Sequence, residues 1–191
     1  MKALIKKNIQ GWKVTGVFLL AFSVYLTMLF YSIPKVKDYA KGMEIPDLMP
    51  AGYTKEYITK LFTTLGEAGR SFYLHLQLPL DLVYPLLFGL SYCLILAYFL
   101  QKLGKLNTRL FYLTYLPLLA GAFDYLENAG LIMLLKSFPE ISAGLVKATS
   151  SFSVLKSSIS MVYFIILIIT LLLFFVSRVL KKKPGRAVKH N

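Results

Sequence analysis

The sequence predicts an all-α polytopic membrane protein, a four-transmembrane-helix bundle with a short interfacial helix before the second span. Three observations lead there. Hydrophobic residues make up 57% of the 191-residue chain and charged ones only 16%. The apolar residues fall in four long blocks instead of the short periodic runs of a soluble domain. The basic residues gather at the ends of those blocks. A bilayer core about 30 Å thick needs about 20 apolar residues at 1.5 Å rise each, so four blocks and their connections use nearly the whole chain. It reads as one integral membrane domain.

The first span is expected at about residues 11–33. Lys2, Lys6 and Lys7 precede it, as in a secretory signal, but the apolar stretch is long and ends in Tyr31-Ser32-Ile33-Pro34-Lys35, which has no small-x-small cleavage pattern. An extracytoplasmic loop over 34–71 follows, with Pro34, Gly42, Pro46, Pro50 and Gly52 among alternating charges. Within it, Tyr57, Ile58, Leu61, Phe62 and Leu65 recur at helical spacing from Thr54 onward, which predicts a short helix lying in the membrane interface.

The second span is expected at about 72–100, kinked or opened at Pro79 and Pro85, because each proline lacks the N–H of an intrahelical bond. A basic turn leads to the third, about 110–135, which contains Pro117. The fourth spans about 157–180 with a helical lead-in from near Leu145, and a basic tail, 181–191, closes the chain. There is no internal repeat.

The N-terminus, the loop carrying Lys102, Lys105 and Arg109, and the C-terminus contain no acidic residue, whereas the opposite side mixes both signs. By the positive-inside rule both termini are cytoplasmic, in a bacterial inner membrane or a eukaryotic membrane. The net charge of +13 is then a topology signal and a contact with anionic headgroups. A nucleic-acid partner is excluded on the same ground, since the cations share no water-facing surface. Cys93 is the one cysteine, which rules out an internal disulfide or a Cys-based zinc site.

Three carboxylates remain inside the spans: Asp81, Asp124 and Glu127. Each costs about 2.5 to 3.5 kcal/mol to bury even on the lenient insertion scale, so such groups face a cavity, a partner or a substrate. Counting residues places all three roughly 12 to 16 Å below the non-cytoplasmic surface. Residues three and four apart share a helix face, so Arg70, Tyr73, Gln77, Asp81 and Tyr84 make one stripe. Asp124 and Asn128 make a second, with Glu127 adjoining, and Ser150, Ser153, Ser157 and Ser160 a third with Lys156 close by.

The candidate ligand-binding residues are therefore Asp81, Asp124, Glu127, Asn128, Arg70, Gln77, Tyr84 and Lys156, lining a polar pocket that opens away from the cytoplasm. The competing reading is structural, with the acids paired to Arg70 and Lys156 to hold the bundle together. His75 is a surface or capping residue with little to suggest a metal, and no motif calls for a cofactor.

The expected function is binding of a lipid or amphipathic small molecule, with acid/base conversion of it left open; one protonated and one ionised carboxyl would suit such chemistry. The alternatives are a non-catalytic subunit or assembly factor whose charges pair with another membrane protein, and an oligomeric proton-coupled carrier. In layout alone the chain resembles the small four- or five-helix proteins of the sterol isomerase and sigma-2 receptor group, without a motif that carries any residue across.

Overall fold

The computed structural model describes residues 2–181, the last without its side chain, and all of its regular elements are helical. Four helices are long and apolar enough to cross a membrane. A short helix α1 (Lys2–Asn8) precedes the long helices α2 (Gly11–Tyr39), α3 (Lys55–Lys102) and α4 (Arg109–Ser137). The last, α5, covers Ala143–Lys181. Helix α4 packs along both α3 and α5, and α2 packs along α3, while α2 and α5 barely touch. The expected basic tail lies outside the described residues apart from Lys181.

Several boundaries differ from the sequence reading. Helix α2 runs past Pro34 to Tyr39, and α3 starts at Lys55, so most of the segment expected as a loop is helical. The reason lies in wide turns of the π type at Met28–Ser32 in α2 and Tyr73–Gln77 in α3. Each ends two residues before a proline, Pro34 or Pro79. In a regular helix the proline ring would strike the carbonyl four residues back, Phe30 or His75; both lie inside the wide turns, where the ladder is re-spaced and the helix continues.

The stripe read as an interfacial helix is the first part of α3. Ile58, Leu61, Phe62 and Leu65 are buried against protein, not presented to a bilayer surface. At Gly66 the backbone leaves the helical region (φ 64°), a conformation suited to glycine, and the chain bends there before continuing. Helix α4 opens with a tight 3-10 stretch, Arg109–Tyr115, and α5 begins at Ala143, close to the lead-in expected near Leu145.

Two apolar clusters result. One joins Val36, Ile45, Ile58, Tyr73, Leu131 and Leu134 at the end where acidic and basic residues are mixed. The other joins Ile5, Cys93, Leu96, Phe111 and Tyr163 at the basic end. Between them α3 and α4 approach closely enough that a Cβ at Gly121 would lie 2.8 Å from the Pro85 carbonyl oxygen. Backbone cannot give way as a side-chain tip can, so Gly121→Ala is expected to destabilise the chain by about 1–3 kcal/mol, the usual range for overpacking, read as a lower melting temperature in mild detergent.

Candidate functional site

The layer between the two clusters is where the acids meet. Pro85 has no N–H, so the carbonyl of Asp81, four residues earlier, has no helical partner. Asn128 of α4 supplies one: its Nδ2 donates to the Asp81 carbonyl oxygen over 2.8 Å. That bond sets Asp124, one turn away on the same face as Asn128, at the level of Asp81. On its other side α4 meets α5 closely, since a Cβ at Gly130 would collide with the Thr149 side chain. Two turns on, Lys156 of α5 reaches Asp124 Oδ1 at 3.0 Å and Glu127 Oε2 at 2.6 Å.

The wide turns add the next group. Ser32 Oγ donates to Gln77 Oε1 at 2.5 Å, both side chains being fully buried. From the same turn of α3 the Tyr73 hydroxyl donates to Asp47 Oδ2 at 3.1 Å. Asp47 belongs to a short 3-10 turn, Pro46–Leu48, in the segment joining α2 to α3. This connection lies across the acid layer. Ser153 Oγ donates to the Met49 carbonyl over 3.2 Å, and the Tyr53 N–H donates to Ser150 Oγ over 2.8 Å.

Asp47, Asp81, Asp124 and Lys156 line one cavity of about 230 Å³, with Tyr84 and Phe88 of α3 and Ser157 and Ser160 of α5. A second hollow of about 330 Å³ continues from it and shares Tyr25, Tyr84, Phe88 and Phe164. Its remaining walls are Phe18, Ala21, Phe22 and Tyr92, so the cleft has a charged end and an aromatic end. Tyr25 of α2, Leu48 of the connection and Phe164 of α5 are part-exposed rim residues. The mouth therefore lies in the gap between α2 and α5.

Of the residues singled out in the sequence, Asp81, Tyr84, Asp124 and Lys156 line the cavity. Glu127, Asn128 and Gln77 are fully buried behind its lining. Arg70 is elsewhere: beyond the break at Gly66 it donates to the Phe62 carbonyl over 2.8 Å and stacks on Phe138, 4.5 Å from the ring centroid. It is committed to the bend and has no part in pairing the acids. His75 Nδ1 lies 2.9 Å from the Ser71 carbonyl oxygen, a local helix contact.

Sequence reasoning missed Asp47, which counted as one of the acids outside the membrane. The signal for it is in the connection itself, where Ile45 before Pro46, and Leu48 and Met49 before Pro50, are more apolar than a solvated loop needs.

The charges do not balance. Four carboxyl groups face one ammonium group, and that ammonium is shared between Asp124 and Glu127. Asp81 Oδ2 and Asp47 Oδ1 are buried and have no hydrogen-bond partner. Groups in that condition are expensive to keep and call for a partner. Compared with protein-family models, with curated proteins and with solved structures, the chain matches none.

Two outcomes follow from this geometry. Lys156→Met leaves Asp124 and Glu127 buried and unpaired, which costs about 3–5 kcal/mol. Denaturation in detergent reads the loss, and adding Asp124→Asn with Glu127→Gln is expected to recover most of it. The second concerns Asp47. Burial pushes its carboxyl from the ordinary 3.8 up to about 6; Lys156 opposes the rise, Asp124 adds to it, and the Tyr73 hydrogen bond opposes it.

The folded chain thus holds this proton more tightly than an extended chain does. Its contribution to stability is full below the ordinary value of 3.8 and is lost as pH rises to about 6. Hydrogen exchange at 45–49, corrected for intrinsic rates, should show stronger protection at pH 4 than at pH 7. Asp47→Asn should remove that difference.

Proposed function

We propose that the chain spans a membrane four times with both termini cytoplasmic, and that its cleft binds a lipid-like or other amphipathic small molecule. The polar end of the ligand sits among Asp47, Asp81 and Asp124, and its apolar body lies along Phe18, Phe22, Tyr84, Phe88 and Tyr92. One observation carries this reading: unpartnered buried carboxyl oxygens on Asp47 and Asp81 line a cavity that continues into an aromatic hollow. Ligand sites combine a mostly apolar lining with a few convergent polar groups, and this cleft has that composition.

An excess of carboxyl groups over cations favours a ligand whose polar end donates hydrogen bonds or carries positive charge. Entry is lateral. The connection bearing Asp47 is hydrogen-bonded across the mixed-charge end, whereas α2 and α5 leave a gap along their length, so a molecule dissolved in the bilayer enters sideways. Binding accounts for these features without a reaction, and the proposal is confined to binding.

Native mass spectrometry of gently solubilised protein, followed by lipid extraction, tests it. Wild type is expected to carry an amphipathic molecule at a fixed ratio, and Asp81→Asn or Asp124→Asn with Glu127→Gln to lose it. An empty wild-type monomer, or a ligand retained unchanged in both variants, overturns the reading. A second polypeptide at fixed stoichiometry in place of a small molecule would put the partner-subunit alternative ahead.

A further inference from the structure

The basic end of the bundle holds another hollow, which shares no lining residue with the acid-lined cavity. Its volume is about 600 Å³, within the usual range for a ligand pocket, and its walls are almost wholly apolar. Ile5 of α1, Val17 of α2, Leu94 of α3 and Leu118 of α4 contribute to them. Helix α1 is held beneath the bundle to form this end: Ile5 and Ile9 are buried in the basic-end cluster, and Lys6 Nζ donates to Asn107 Oδ1 over 2.7 Å. The α2 wall is bare at Gly16, where a Cβ would meet nothing within 4 Å.

The rim has a different chemistry. Asn8, Trp12 and Lys13 stand on it, with Lys13 Nζ donating to the amide oxygen of Asn8 over 3.2 Å and lying 5.6 Å from the Trp12 ring centroid. Trp12 is 73% exposed, as an indole at a membrane interface is. Lys6 and Lys7 are close in sequence, and the first acidic residue in the chain is Asp38. An apolar slot whose lining carries one cation, Lys13, and no carboxylate matches one kind of molecule, an apolar chain that ends in an anion.

We propose that this hollow is a binding site for one acidic phospholipid, with an acyl chain lying over Gly16 and the phosphate at Lys13 beside Trp12. Basic pockets between membrane helices hold acidic headgroups by the same combination of charge and apolar contact. The site is separate from the acid-lined cleft and rests only on the membrane placement proposed above.

The test uses the full chain, delipidated in detergent and offered equal amounts of phosphatidylglycerol and phosphatidylcholine with identical acyl chains, read by native mass spectrometry. Wild type is expected to retain one phosphatidylglycerol in preference to phosphatidylcholine. Lys13→Gln should lower that preference about fivefold, the equivalent of one lysine near a headgroup. Gly16→Leu puts a side chain into the slot at a position where a Cβ meets nothing within 4 Å, and should abolish retention while the melting temperature holds.

Equal retention of both lipids by wild type, or unchanged phosphatidylglycerol retention in Gly16→Leu, overturns this site and leaves the cleft untouched. Recovery of wild type in the soluble fraction without detergent overturns the membrane placement, and both readings with it.

Discussion

Everything in the middle of this bundle depends on the ammonium group of Lys156. It is the cation that the acid layer contains, and it bridges two carboxylates on α4 from a position on α5. In an apolar interior that bridge is stronger than it would be in water, and its loss would cost more. It fixes the rotation of α5 about its own axis, because Ser157, Ser160 and Phe164 take their places in the cleft from the same helix face. The contact is therefore both a clasp between helices and one wall of a cavity. Structural and ligand-binding readings of the acids are not exclusive: Asp124 and Glu127 serve the clasp, while Asp47 and Asp81 are left over.

Proline placement is the second constraint. Pro34 and Pro79 force wide turns, and the two turns abut where Ser32 meets Gln77. Pro85 frees a carbonyl that recruits Asn128 across the interface. The free Asp81 carbonyl is satisfied from another helix and the two wide turns meet through their side chains, so these irregular points of the backbone are points at which the helices register against one another. The buried polar groups cluster there because the backbone has created the need for them.

Much of this was legible in the sequence, and the limits have physical causes. Long apolar blocks gave the four helices, and helical spacing put Asp81, Asp124, Glu127, Asn128 and Lys156 into one layer, since a helix face depends only on local periodicity. The end of α2 near Pro34 was misjudged because a wide turn lets a helix absorb a proline, and nothing in composition announces it; the helix expected from Thr54 does start there but runs on into the second span. Arg70 was misassigned because its true partner, the Phe62 carbonyl, becomes available only through the break at Gly66. Asp47 was missed because a connecting segment has no periodicity from which its direction could be read, although its apolar neighbours hinted that it turns inward.

The position of Lys156 along the chain has a consequence for biogenesis. A polypeptide is made from its N-terminus, so α3 and α4, with Asp81, Asp124 and Glu127, exist before α5 does. Until α5 arrives, those carboxyl groups do not have Lys156 to face, and the nascent chain must shelter them by other means. A helix made after α3 and α4 thus supplies the ammonium group that Asp124 and Glu127 share, and a chain truncated in the α4–α5 connection would leave both of them without it.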